Sequence, residues 1–251
     1  MTYCLAACVD TGLVFVSDSR TNAGIDQLSA FSKMHAFDEL DGRFFTLLSA
    51  GNLATTQAVV ARLQRDLRED APTSLATVTR MREAADYVGA ISLSIQEKYT
   101  DEQRSSGFSP EANFIFGGQI HGKPHALFQI YPQGNHVSPA ELSPFVQIGE
   151  QKYGKPILDR IITRDTDLEI VARCGMVSMD STMRSNASVG PPIELMIYRA
   201  GSPGSATHIV FDESDGYLRA LREAWGENLR QAFEALPPIS LPSSPMKVVD
   251  G

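Results

Sequence analysis

The first fifty residues carry strand patterns over 3–9, 13–17, 33–37 and 43–50, with Asp10-Thr11-Gly12 and Asp38-Glu39-Leu40-Asp41-Gly42 as turns. Both breaks place a glycine where a hairpin wants one, so the segment predicts four strands in two successive hairpins. The first two runs are apolar at nearly every position instead of alternating, which predicts a sheet covered on both faces. The covers come next. Asn52 is placed to cap a helix in which Leu53, Val60, Leu63 and Leu67 share one face, and a second helical stretch is expected over 74–99. Asp70-Ala71-Pro72-Thr73 separates the two, because the position before a proline disfavours helix.

Strand patterns return over 112–120, 126–131 and 145–148, with His121-Gly122-Lys123-Pro124 as a tight connection. Helices are expected over 153–162 and 167–184, strands over 193–199 and 207–211, and a last helix over 216–235. The order is strands, helix pair, strands, helix pair, strands. Such segregation predicts an α+β fold: a four-layer αββα sandwich of two mainly antiparallel sheets with helices on each outer face. One domain over 1–235 is expected, followed by a Pro- and Ser-rich extended tail over 236–251.

Composition narrows the function. A chain of 251 residues, 43% hydrophobic and 21% charged, can bury one large core. Its formal net charge of -8 comes without a basic face, so neither nucleic acid nor a membrane is an expected partner. No run approaches the roughly 20 apolar residues of a membrane span, and the start lacks a secretory pattern, so a cytoplasmic location is expected. Cys4, Cys8 and Cys174 are odd in number without CxxC spacing, and are expected as free packed thiols. The five histidines fall at no HxxxH spacing, so no metal and no cofactor is expected.

GxSxG, GxxxxGKS/T and GxGxxG are all missing from the sequence, which leaves the start of the chain as its unusual feature. Met1-Thr2 leads directly into an apolar strand. Threonine is small enough for the initiator methionine to be trimmed, and an N-terminal threonine hydroxyl is a nucleophile whose own amine, with an ordinary pKa near roughly 8, can act as base. Asp18 closes the second strand, so hairpin pairing brings it toward Thr2, and Lys33 opens the next strand.

With these residues in view, the chain resembles one family over essentially its whole length. Met1-Thr2-Tyr3-Cys4, Ser17-Asp18-Ser19-Arg20-Thr21-Asn22-Ala23-Gly24, Phe31-Ser32-Lys33-Met34-His35, Ser49-Ala50-Gly51 and Ile148-Gly149-Glu150-Gln151-Lys152-Tyr153-Gly154-Lys155-Pro156 are similar to the Anbu family, the proposed ancestral bacterial relatives of proteasome β subunits. The resemblance implies the proteasome-subunit (N-terminal-nucleophile hydrolase) fold and a threonine peptidase. It implies Thr2 as nucleophile, Lys33 as catalytic lysine, Asp18 as the acid that holds it, Arg20 as a supporting arginine and the Gly51 N–H as oxyanion donor. These roles are physically consistent. An ammonium beside the Thr2 hydroxyl favours loss of its proton, a carboxylate compensates that buried cation, and glycine permits close backbone approach.

Two positions depart from the proteasome pattern. Glu150 stands where a serine is usual, and the later Asp, two residues, Ser, Gly pattern finds either Asn186-Ala187-Ser188-Val189-Gly190 or an offset match through Asp180 and Ser181. Glu150 is a candidate anchor for the α-ammonium. Asn22, Phe31, Ser32, His35, Ser49 and Leu53 flank the matching positions as candidate substrate-pocket residues.

Each residue also has an ordinary reading. An Asp-x-Arg at a strand end is commonly a turn cap or surface ion pair, Gly51 a turn glycine, and His35 a satisfied imidazole. Trp225 is read as a core or interface anchor. For the whole chain the leading expectation is a peptidase acting on polypeptides, self-associating into open rings or spirals, with an ATPase partner left open. The alternatives are an inactive self-assembling scaffold and an amidase acting on a non-protein amide.

Overall fold

A computed structural model describes residues 1–22, 28–38, 40–103, 109–202 and 204–239. One five-stranded sheet is built from β1 (Tyr3–Val9), β2 (Gly12–Asp18), β10 (Phe145–Gly149), β11 (Ile193–Arg199) and β12 (Thr207–Phe211), in the order β10-β1-β2-β11-β12. The second is built from β5 (Met34–Phe37), β6 (Arg43–Gly51), β7 (Ala112–Ile120), β8 (Ala126–Ile130) and β9 (His136–Val137), paired in sequence order. Every neighbouring pair in both sheets is antiparallel. A small hairpin of β3 (Arg20–Asn22) and β4 (Leu28–Ala30) stands apart.

Helices α1 (Leu53–Arg68) and α2 (Met81–Gln103) cover the second sheet, and α3 (Lys155–Ile161) and α4 (Leu168–Ser185) cover the first, with α5 (Gly216–Glu234) packed on α4. The αββα sandwich expected from the order of elements is the observed architecture.

The alternation of side chains across each strand produces three apolar layers. On β1, Leu5 and Ala7 face Val171 and Cys174 of α4, while Cys4, Ala6 and Cys8 face inward with Phe15, Phe44, Ile115 and Met196. This is why β1 and β2 read as continuous apolar runs: all seven residues of each strand are buried. The two sheets meet through Phe44 and Tyr198, whose rings stack at 4.2 Å and 4°. At Gly117 of β7 a Cβ would stand 2.9 Å from Phe15 Cζ, so the close approach of the sheets needs glycine there. Each large inner-layer side chain so buried contributes on the order of 1.5–3 kcal/mol. The three cysteines are free and buried.

Several expectations shift at their edges. Helix α2 begins at Met81 rather than near residue 74. Residues 74–77 form a turn in which Thr77 Oγ1 accepts from Ser74 N at 2.9 Å, and Leu75 and Val78 fill the core beneath the helices. Glu83 then accepts from both the backbone and the hydroxyl of Thr79, which organises the helix start. Strands β3, β4 and β9 were not expected; at two or three residues they are too short to show a period. Asn52 caps α1 as expected, accepting from Thr55 N at 3.2 Å. Glu39 of the second expected turn and residues 240–251 of the tail lie outside the described residues. Among the described residues no helix is long and apolar enough to cross a membrane.

Candidate active site

Thr2 immediately precedes β1, the strand between β2 and β10, and its backbone is fixed from both sides. Its carbonyl accepts from Glu150 N at 2.8 Å, and the next amide, Tyr3 N, donates to Asp18 Oδ1 at 3.0 Å. Gly149, opposite Tyr3, has φ +81°, and a Cβ there would fall onto the Thr2 carbonyl oxygen. The Tyr3 ring runs into the layer beneath, where its hydroxyl meets Ser178 Oγ at 2.7 Å and accepts from Gln147 Nε2 at 2.5 Å.

Asp18 closes β2 beside this strand and is 0% exposed. Lys33 Nζ lies 2.9 Å from Asp18 Oδ1 and donates to the Arg20 carbonyl at 2.7 Å. The second carboxylate oxygen accepts from Gly190 N at 3.4 Å. Burial pushes the Asp18 carboxyl above the usual range, while the Lys33 charge and hydrogen bond and the Tyr3 and Gly190 amides pull it back. The Asp-x-Arg segment is therefore an internal support instead of a surface ion pair.

Gly51 ends β6 with φ +117°, and a Cβ would meet the Glu111 carbonyl. Along β6, Ser49 N donates to the Lys33 carbonyl at 3.0 Å, while Asn52 N donates the opposite way to Glu111 O at 2.9 Å. Strand alternation directs the Gly51 N–H to the Lys33 side. Thr2, Lys33 and Gly51 line one cavity of about 240 Å³, together with Phe31, Ser32, His35, Ser49, Ala50, Leu53, Thr56 and Gln57. Burial lowers the His35 pKa, with the Glu194 charge opposing it, so a neutral imidazole faces the cavity at pH 7.

Six expected pocket or site residues thus converge with Thr2 and Lys33: Phe31, Ser32, His35, Ser49, Gly51 and Leu53. The side chain of Asn22 lies outside the described residues. Thr56 and Gln57 escaped the sequence reading, because nothing in a helical pattern says which polar positions of its first turns look into a cavity. Arg20 Nη1 donates to Ala187 O at 3.0 Å, its N–H to Gly190 O at 3.2 Å, and Gly190 leaves no room for a Cβ against the guanidinium. Glu150 Oε2 accepts from Asn186 Nδ2 at 3.2 Å, and the same nitrogen stands 3.9 Å from Met1 Sδ. The 186–190 segment is therefore the stretch next to the chain start. Asp180 and Ser181 lie elsewhere: Asp180 is paired with Arg222 of α5 at 2.8 Å, and Asp180 and Ser181 line a separate groove with the half-buried Trp225. Among the described residues no group of three or more His, Cys, Asp and Glu is placed to hold a metal ion.

A scan of family models gives no match, and neither does a search among curated proteins. Solved structures do match. Anbu (ancestral beta-subunit) from Yersinia bercovieri is 42% identical, with a TM-score of 0.87 over 96% of this chain and 100% of that one. The helical assembly of the Anbu complex from Pseudomonas aeruginosa gives 42% identity and a TM-score of 0.89 over 96% and 99% of the two chains. Anbu from Hyphomicrobium sp. strain MC1 gives 43% and 0.84 over 96% and 100%. At this identity, over nearly the full length of both chains, common fold and common descent coincide, and the chain belongs to the Anbu family, the ancestral β-subunits.

Proposed function

We propose that the protein is a threonine peptidase that hydrolyses peptide bonds through Thr2 once Met1 is removed. The observation that carries this reading is the convergence of Thr2, Lys33 and the Gly51 backbone on one cavity, with Lys33 held by the buried Asp18. Met1 is 70% exposed and open to trimming. Trimming belongs to protein synthesis in the cytoplasm, which is where we place the activity.

Thr2 Oγ1 attacks the scissile carbonyl carbon while its proton passes to the freed α-amine, with the Lys33 ammonium favouring the developing alkoxide. The carbonyl electron pair moves onto oxygen and accepts from the Gly51 N–H, a donor of a kind worth about 3 kcal/mol. Collapse breaks the C–N bond, the leaving amine takes the proton from the α-ammonium, and an ester on Thr2 remains. Water, deprotonated by the α-amine, then releases the acid and restores the hydroxyl. Glu150 and Asn186, adjacent to the chain start, fit the anchoring of that amine.

Self-association is a property of the Pseudomonas aeruginosa relative and is assigned here on that likeness. The apolar end of α5 supports it: among the described residues Leu229 and Phe233, one turn apart, are 48% and 75% exposed.

Intact mass before and after incubation with a peptide epoxyketone tests the reading. Loss of Met1 and one covalent adduct, both with no adduct in Thr2→Ala, is the expected result. A trimmed chain that takes no adduct overturns it.

A further inference from the structure

Glu194 is a buried carboxylate that the proposed reaction does not use. It sits on β11 opposite Ser17 of β2 and Val210 of β12, and is 5% exposed. Alternation puts its side chain on the face of Met196 and Tyr198, in the layer between the two sheets. A carboxylate there is costly unless its oxygens are occupied. Ser19 Oγ donates to Oε1 at 2.9 Å, and His208 Nε2 stands 3.1 Å from Oε2.

Ser19 is where the parts of the site are joined. It directly follows Asp18. Its carbonyl accepts from Phe31 N at 2.9 Å, and the next carbonyl, of Arg20, accepts from Lys33 Nζ at 2.7 Å. Phe31 and Lys33 both line the Thr2 cavity; Glu194 does not. We infer that Glu194 is a positioning residue: by holding the Ser19 hydroxyl it fixes the backbone of residues 18–20, and through it the Asp18 carboxylate, the cavity rim at Phe31 and the Lys33 ammonium. It touches no reacting atom. His208, with a side chain 40% exposed, closes the carboxylate from the solvent side. The meaning of this support for catalysis rests on the peptidase reading; the support itself does not.

The test compares wild type with Glu194→Gln, Glu194→Leu and Ser19→Ala, using amide hydrogen exchange over residues 28–35 and the rate of epoxyketone labelling of the trimmed chain. The lost contact is expected to speed exchange and slow labelling by about tenfold in Glu194→Leu and Ser19→Ala, with exchange over β6 and β7 unchanged. Glu194→Gln keeps an oxygen that accepts from Ser19 and is expected within about threefold of wild type on both readouts. Wild-type exchange over 28–35 in both Glu194→Leu and Ser19→Ala overturns the inference. So does a Glu194→Gln variant as slow as Glu194→Leu, since charge and not position would then matter. Should Glu194→Leu not fold, Ser19→Ala, which removes one hydroxyl, decides alone. Absence of labelling in wild type itself counts against the peptidase reading, and the exchange data still decide the positioning role.

Discussion

Asp18 and Lys33 form an ion pair at 2.9 Å in which the carboxylate is fully buried and the ammonium nearly so, at the point where the start of the chain enters its first strand. The carboxylate serves two masters, since the same Oδ1 also accepts from the amide of Tyr3, next to Thr2. The pair therefore links the placement of Lys33 to the placement of the chain start.

Removing the carboxylate leaves a buried cation without its partner. Asp18→Ala is expected to lose about 3–5 kcal/mol of stability in urea unfolding and to abolish epoxyketone labelling. Asp18→Asn keeps the volume and one acceptor, and should lose less stability while labelling remains at least tenfold slower than wild type.

Gly51→Ala combines a positive φ with a side chain driven into the Glu111 carbonyl. Hydrolysis of a tripeptide reporter is expected to fall by at least about a hundredfold, through displacement of the N–H that faces the cavity. A variant with wild-type turnover would remove Gly51 from the proposed oxyanion role.

Tyr3→Phe tests how far the N-terminal strand depends on its polar tether. It strips the common partner from Ser178 and Gln147, both buried, so a loss of about 1–3 kcal/mol is expected in thermal or urea unfolding.

The pH dependence follows from His35, whose folded pKa is lowered by burial. The unfolded chain takes up this proton near the ordinary value of about 6.5, while the folded chain resists it, so stability falls as pH drops below about 6.5. In His35→Gln this contribution is absent, and the difference between the two stability curves should open only on the acid side. A constant offset from pH 8 to pH 5 would contradict it.

Phe233→Glu places a charge on the exposed end of α5. Sedimentation velocity should show a shift toward smaller species with an unchanged unfolding midpoint for the monomer. Unchanged assembly would mean that another face carries it.

Much of the fold was legible because the apolar periods are long. Strands β1, β7, β11 and β12 match their expected limits, and the continuous burial of β1 and β2 follows from runs without alternation. The start of α2 was misplaced because Leu75 and Val78 mimic a helical face while serving as core plugs in a turn. At the site, the hairpin between β1 and β2 was enough to bring Asp18 to Tyr3. The Glu194–Ser19 contact was not legible: it joins residues 175 apart across two strands whose adjacency no local pattern reveals. The choice between the 180 and 186 registers likewise depended on which face of α4 meets α5, and Arg222 settles where Asp180 points.

The site straddles the seam of the sandwich. Asp18 ends β2 of the first sheet and Thr2 precedes its β1, while Gly51 ends β6 of the second sheet and Lys33 precedes its β5. Their alignment is thus an inter-sheet gap, and the stacked rings of Phe44 and Tyr198 and the glycine at 117 act as its spacers. Substitutions in that middle layer would reset the spacing of Thr2, Lys33 and Gly51 without altering a single residue of the cavity.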